Sequence, residues 1–388
     1  MMKQPSVYST TGNLVKTLLL MIPMVLLVFV FITRGNTDFS SPLKLVSFLI
    51  TFVFFSGLFF MILYTGKTNR YRAIGFIVLA SFFALTFIVN LITMRGSMSF
   101  SNNNFLSCEI PFCHIVTTMI IIPAAITKTI IFPGSILNGF ASIASMLVIV
   151  IGISISIGRG FCSWGCFYGG WDDGFSSIGK KPVIRKVNPA FKWMPFAILL
   201  IIALASAATL SPVYCDWLCP FKSVTEFQKV TSMEIFFKTV VFISLFAGLV
   251  VVLPFLTKKR IQCSTFCPMG ALLSFTNKIN IFGLRIDKDK CTNCKLCAKT
   301  CPTLSIDSND IEKGRPSFTC TKCGKCIDKC PKNAIHYHVK GTPENKNHTL
   351  NRMLFLFPSF TLLVIFTGGT MQQGIILLVK LFTTGSFI

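Results

Sequence analysis

The residues in this 388-residue chain most able to do chemistry are its 16 cysteines, and their spacing says which chemistry. CTNCKLCAKTCP supplies Cys291, Cys294, Cys297 and Cys301, followed by Pro302. CTKCGKCIDKCP supplies Cys320, Cys323, Cys326 and Cys330, followed by Pro331. Three thiolates two residues apart wrap one face of a cubic iron–sulfur cluster on a tight loop, while the fourth points away and reaches the neighbouring cluster. The pattern assigns cluster one to Cys291, Cys294, Cys297 and Cys330, and cluster two to Cys320, Cys323, Cys326 and Cys301, both of the 4Fe–4S type. Two zinc knuckles are the rival reading, and the doubled motif speaks against them.

The other eight cysteines come in pairs. FCSWGCF carries Cys162 and Cys166, YCDWLCP carries Cys215 and Cys219, and QCSTFCP carries Cys263 and Cys267. Four-residue spacing puts two thiols on one face of a helical turn, so two facing pairs supply four ligands. The first two pairs share an aromatic before the first Cys and a tryptophan between the two, Trp164 and Trp217, which reads as an internal repeat. CEIPFCH differs: it gives Cys108 and Cys113, with His114 beside them read as a surface histidine. One pair alone would be read as buried thiols; three pairs of one spacing beside a doubled cluster motif favour metal ligation. Only four histidines are present and none lies in a long apolar run, so no haem with two His ligands is expected. No nucleophile, general base or substrate pocket is visible. The chain is expected to be an electron-transfer component rather than a stand-alone catalyst.

What must position these thiols is a membrane. The chain is 52% hydrophobic and 13% charged with 40 Phe, and its mean hydropathy is +0.68. No soluble domain of this size needs that. Apolar runs long enough to cross a core of about 30 Å occur at 14–32, 43–64, 73–94, 137–157, 193–210 and 235–256. A further run starts near Met353 and is broken by Gly368-Gly369 and Gly374, which fits one tilted span or a short hairpin. The run from Leu14 is too long for a signal-peptide core and reads as a retained first span. The expected fold is a multi-span α-helical membrane protein, about 6–8 spans, with an inserted cytoplasmic, bacterial-type two-cluster 4Fe–4S ferredoxin domain. Four regions follow: 1–136, membrane with an outer Cys loop; 137–256, membrane with Cys-x-x-x-Cys pairs; 257–350, ferredoxin; and 351–388, a C-terminal membrane segment.

Charge sets the orientation. The net charge is +23, and Thr257 to Arg352 alone holds 18 Lys+Arg against 7 Asp+Glu. Beside apolar spans this reads as the positive-inside signature, not as a nucleic-acid patch. Three basic loops carry Lys67, Arg70 and Arg72; Arg159, Lys180, Lys181, Arg185, Lys186 and Lys192; and Lys258, Lys259 and Arg260. All fall inside if the N-terminus is inside and segment 115–131, with Pro123 and Lys128, dips back without crossing.

The Gly-Arg-x-x-Cys-x-Trp-x-Cys start (Gly158 to Cys166), the later Cys-x-x-x-Cys-Pro-x-Gly-Ala (Cys263 to Ala271) and the double ferredoxin motif resemble the membrane polyferredoxins of the NapH, NosR and CcoG group, over roughly residues 137 to 340. The resemblance implies a prokaryotic cytoplasmic-membrane protein that passes electrons between quinol or soluble donors and extracytoplasmic acceptors. Phe167 stands where the family has a proline after the pair, and no Ser/Thr-Gly-Ala-Thr attachment sequence is present, so no covalent flavin is expected.

On this topology Cys162, Cys166, Cys263 and Cys267 meet near the inner surface, and Cys108, Cys113, Cys215 and Cys219 near the outer one. One or two further Fe–S clusters are expected there, of 2Fe–2S or 4Fe–4S type, with disulfide chemistry as the rival for the outer four. The expected function is electron transfer across the membrane. The donor would be a soluble protein such as ferredoxin or flavodoxin on the lysine-rich face, the acceptor an extracytoplasmic flavoprotein or reductase. An accessory, assembly or redox-sensing role beside a respiratory reductase and quinol-linked transfer are the alternatives. Membrane lipid is the remaining expected partner.

Overall fold

The computed structural model describes residues 14–33, 41–95, 115, 118, 143–179, 181–222, 232–342 and 348–385. Cys108, Cys113 and His114, and all of segment 115–131 but Ile115 and Thr118, lie outside the described residues. In lipid a backbone must satisfy its own hydrogen bonds, so the apolar runs become helices: α1 (Leu14–Thr33), α2 (Pro42–Thr65) and α3 (Thr68–Arg95). Ser41 caps α2 through the Lys44 N–H, with Pro42 at the first turn, and Gly66 closes it at φ 70°. Among the described residues five helices are long and apolar enough to span, or six if one bent pair counts as a span. The run at 73–94 falls in α3.

The C-terminal run forms one helix, His348–Thr384, rather than a hairpin. Its 37 residues extend about 55 Å at 1.5 Å per residue. This helix packs on α1, α2 and α3. The Phe360 ring sits 5.0 Å from Phe59 and 6.2 Å from Phe55. At its first turns the buried Arg352 donates to Ile62 O (2.9 Å) and Thr68 Oγ1 (3.0 Å), tying it to the α2–α3 corner.

The described part of the run at 137–157 is sharply bent, as in a broken span or a re-entrant loop. Helix α4 (Ile143–Ser156) ends, a 3₁₀ turn occupies Gly158–Gly160, and α5 (Phe161–Trp164) leaves at 102°. Gly158 makes the break, because its φ is +55° and a Cβ there would lie 2.6 Å from Asn277 Oδ1. Helix α6 (Phe167–Ser177) then crosses α3 closely. A Cβ on Gly170 would collide with the Phe76 carbonyl oxygen and lie 2.8 Å from Ala80 Cβ, so the crossing needs a glycine. Gly170→Ala is expected to destabilise the detergent-solubilised protein by about 1–3 kcal/mol through overpacking. Gly57→Ala, with nothing within 4 Å of the added carbon, is expected to leave the melting temperature unchanged or raise it.

Helices α7 (Met194–Thr209), α8 (Met233–Leu245) and α9 (Leu253–Thr257) complete the apolar bundle, and α10 (Pro268–Ile279) follows. The three Cys-x-x-x-Cys stretches share one local form. Each is a single helical turn, at Phe161–Trp164, Tyr214–Leu218 and Gln262–Phe266. Each ends with its second cysteine extended: Cys166 at φ −82°, ψ 110°, Cys219 at −75°, 110° and Cys267 at −78°, 116°. Proline after Cys219 and Cys267 disfavours helix at the preceding residue. Cys166 takes the same conformation without one.

The ferredoxin region pairs β1 (Phe282–Ile286) with β2 (Ile335–Val339) antiparallel, with Leu284 opposite Tyr337. Between them lie α11 (Leu296–Thr300), α12 (Ser308–Glu312) and α13 (Lys325–Lys329). The two motif loops match position by position: left-handed residues at Asn293 and Lys295 in one, Lys322 and Gly324 in the other. Cys301 and Cys330 end α11 and α13 with the same extended ψ of 118°. Asp328 on α13 caps the first turn of α3, accepting from Thr68 N (3.1 Å) and Asn69 N (2.8 Å), so α3 starts on the ferredoxin region.

Candidate functional site

The positive-φ residues in each motif loop turn the backbone so that successive thiols face one centre. Cys291, Cys294, Cys297 and Cys330 together line one small cavity, closed by Ile286, Ile311 and Ile335. Burial and then the Cys291 and Cys294 thiolates push the Cys297 thiol up to about 11. The second loop gathers Cys301 from the first motif. Burial and the Cys301 thiolate push Cys320 up to about 12, and burial with Cys323, Cys320 and Cys301 raises Cys326 well above the usual thiol range. Crowded, buried thiols keep their protons unless cationic charge replaces them, which is what iron supplies. Backbone donors aim at the crossing cysteines in the same way: Ser305 N to Cys301 Sγ and Ala334 N to Cys330 Sγ, both 3.3 Å. Among the described residues no three His, Cys, Asp or Glu converge tightly enough for a single metal ion; a cube spaces its thiolates more widely. Cys297 also lies near enough to raise Cys326, so the two sets adjoin.

A third set forms where the bent pair α4–α5 meets the turn after α9. The Cys162 and Cys267 thiolates both raise Cys166, and the Cys166 and Cys267 thiolates both raise Cys263, in each case after burial. Around these four thiols lie three guanidiniums that are 0–1% exposed: Arg72, Arg159 and Arg260. Arg260 donates to Ser163 Oγ (2.8 Å), the Cys162 carbonyl, Gly169 O (3.2 Å) and Cys263 Sγ (3.3 Å). Arg159 donates to Cys263 O (3.0 Å) and Ser274 Oγ (2.8 Å). Arg72 pairs with Asp173 at 2.8 Å and donates to Ser163 O at 2.7 Å. Asp172 accepts the Cys263 N–H at 2.8 Å. Burial lifts the Asp172 carboxyl to about 7, whereas Arg72 and Arg260 outweigh burial and hold Asp173 below the carboxylate range. Among the described residues the Nε–H groups of Arg72, Arg159 and Arg260 and the Trp164 indole N–H are buried without an acceptor. Orphaned donors cost free energy, and a sulfide-rich, anionic cluster on the four thiols offers them acceptors. The donor set fits an iron–sulfur group.

Comparison with known families bears on these sites directly. Two families described as 4Fe–4S dicluster domains match residues 261–304 and 283–331. A 4Fe–4S binding domain family matches twice, over 138–185 and 191–230, so each copy holds one Cys-x-x-x-Cys turn. The chain is 26% identical to the putative electron transport protein YccM of Escherichia coli, over 51% of this chain and 56% of that one. It is 22% identical to the ferredoxin-type protein NapH of Haemophilus influenzae, over 50% and 67%. It is 28% identical to an uncharacterised protein of Methanocaldococcus jannaschii, over 35% and 68%. No solved structure matches. In these matches the chain is similar to the membrane polyferredoxins. It is an iron–sulfur protein of electron transport.

In this chain the turn bearing Cys215 and Cys219 is not isolated from the third set. The buried Tyr214 accepts from Gln262 Nε2 at 3.3 Å and its ring lies 6.1 Å from Phe266, between Cys263 and Cys267. Phe221, just past Cys219, packs on Tyr168, just past Cys166, at 3.9 Å. The sequence sets these turns at opposite membrane faces; here one tyrosine and one glutamine bridge them, well short of a core of about 30 Å. Their expected partners Cys108 and Cys113 lie outside the described residues.

Other site residues carry no motif. Asn277 donates to Phe318 O (2.7 Å) and Cys320 O (2.8 Å), and its Oδ1 accepts from Arg159 N (3.0 Å) and Lys322 Nζ (2.8 Å). Lys322 is buried between the cluster-two cysteines and also reaches Ile157 O (2.8 Å) and Asn280 Oδ1 (2.7 Å). Burial lowers its ammonium to about 7. Arg72, Arg159 and Arg260 read as loop charges in the sequence; the structure buries all three. A hint existed for Arg159, which sits in the Gly-Arg-x-x-Cys run.

Proposed function

We propose that the polyferredoxin carries electrons across the cytoplasmic membrane, from a donor on the cytoplasmic side to an extracytoplasmic acceptor. Asn277 is the observation that carries this reading. One side chain holds the cluster-two loop through Cys320 O and the start of the third set through Arg159 N. A ferredoxin used only as a soluble relay has no need of that joint. Iron–sulfur clusters supply one-electron chemistry when bound. The chain's residues order the sites: the cluster-one thiols adjoin cluster two through Cys297 and Cys326, Asn277 and Lys322 link cluster two to the third set, and Tyr214 with Gln262 leads on to Cys215 and Cys219. Buried guanidiniums neutralise the thiolates of the third set and exclude water from it.

Cys294 is the exposed ligand of cluster one, ringed in sequence by Lys288, Lys290, Lys295 and Lys299, with Lys332 also lining its cavity. That face suits an acidic soluble carrier of the ferredoxin or flavodoxin kind. The acceptor would be an extracytoplasmic flavoprotein or reductase. The basic ferredoxin region faces the cytoplasm on the positive-inside rule.

Purified protein is expected to hold clearly more than about 8 Fe per chain, the content of two cubes, and Cys267→Ser to remove the surplus. In proteoliposomes a reductant on the ferredoxin side should bleach an acceptor on the other side. The same vesicles with Cys267→Ser protein should not. Iron at the two-cube level in the native protein, or bleaching unaffected by the substitution, sinks the proposal.

A further inference from the structure

Between the ferredoxin strands and the start of α7 lies a cavity of ≈ 860 Å³, within the range of about 300–1,000 Å³ typical of small-molecule sites. Its residues divide by chemistry. Trp193 and Phe318 supply aromatic faces, with ring centroids 5.6 Å apart. Lys278, Lys313 and Arg315 supply exposed cations, Lys278 lying 5.2 Å over the Phe318 ring. Cys320, a cluster-two ligand, lies in the lining. Two acids in the lining, Asp307 and Asp310, are both engaged by Lys192, at 2.8 and 3.6 Å. The remaining wall is therefore positive.

Apart from Cys320, the proposed function uses none of these features. A small molecule serving cluster two from here must exchange single electrons, which a nicotinamide, a hydride donor, does not. A quinone exchanges single electrons but is uncharged and would leave the three cations without a partner. We propose that the cavity is a binding site for a flavin nucleotide, its ring system against Trp193 and Phe318 and its phosphate on Lys278, Lys313 and Arg315, beside Cys320. The site would give cluster two a small-molecule partner separate from the protein-docking face around cluster one. The electron-carrying use of the ligand rests on the proposed cluster two; the binding itself does not.

The test is flavin mononucleotide titration, followed by flavin fluorescence, on full-length, iron-loaded protein in nanodiscs of neutral phosphatidylcholine. Saturable quenching is expected. The K278Q/K313Q/R315Q variant should bind at least tenfold more weakly, and Trp193→Leu several-fold more weakly. All four residues are exposed or at a surface, so the iron content and melting temperature of the variants should match the native protein. No saturable quenching, or equal binding by the triple variant, overturns the proposal. Full displacement by equimolar inorganic phosphate, or by phosphatidylglycerol added to the nanodiscs, with Trp193→Leu indifferent, shows an anion or headgroup site only and overturns it too. Iron content of the same samples separates a failure of the cluster-two reading from a failure of this one.

Discussion

Cys330→Ser is expected to remove the cluster held by Cys291, Cys294 and Cys297, and to spare the cluster whose loop ends at Cys326, four residues before it. Chain proximity argues the other way, so the outcome is informative. Cys330 shares its cavity with Cys291, Cys294 and Cys297 and not with Cys320 or Cys323. Cys301, in turn, acts on Cys320, Cys323 and Cys326. The extended backbone at both fourth cysteines explains the exchange: each helix stops, and its last thiol swings toward the opposite loop. Iron should fall by about 4 per chain, one cube. In redox titrations followed by electron paramagnetic resonance, Cys330→Ser should lose the same signal as Cys291→Ser, and Cys301→Ser the same signal as Cys320→Ser. If Cys330→Ser instead matched Cys320→Ser, each motif would close its own cluster and the crossed assignment would be wrong.

That grouping is legible in the sequence because it is local: thiol spacing within one loop fixes which sulfurs meet, and the doubled motif supplies the rest. The apolar helices are legible for a similar reason, since lipid leaves their backbones one choice. What the sequence does not disclose depends on contacts between distant segments. Arg72 meets Asp173, 101 positions away, and Arg159 meets Cys263, 104 away. A charge count treats Arg72 and Arg260 as loop residues because nothing local distinguishes them from Arg70 or Lys259. Lys322 looks like any lysine of a basic loop until Ile157, Asn277 and Asn280 surround it. The break at Gly158 is half legible: glycine permits the turn, but the need for it comes from Asn277 and Asn280. The Cys215 turn is the clearest lesson. Span order alone sends it to the far face, while the tyrosine before it reaches back to Gln262. Electron-transfer sites are set by such reach, through side chains that hydropathy does not register.

Arg260→Met should be the most damaging single change outside the cysteines. The guanidinium is wholly buried, donates to four groups and stands across from Asp172, Asp173 and Cys263. It also shares the Phe76 ring with Arg72, at 5.5 and 5.4 Å. A methionine fills much of the volume but leaves buried acids and thiolates without their cation. Removing one partner of a buried charge network costs about 3–5 kcal/mol, a large share of the stability of most domains. The expected result is a lower melting temperature together with loss of the iron bound at Cys162, Cys166, Cys263 and Cys267. Arg260→Lys separates the two roles of this residue. It keeps the charge and so should keep iron and fold, but one ammonium cannot make the fork of contacts that includes Cys263 Sγ. A donor to a ligand sulfur favours the more negative, reduced state, so its loss should lower the midpoint potential of the third cluster alone. Each 1.4 kcal/mol of lost preference corresponds to about 59 mV for one electron, and a shift of several tens of mV is expected. Unchanged potential in Arg260→Lys, with iron retained, would reduce Arg260 to a structural residue. Full iron and unchanged melting in Arg260→Met would remove the charge argument altogether, because the thiols would then be ligating without the cation that the fold buries beside them.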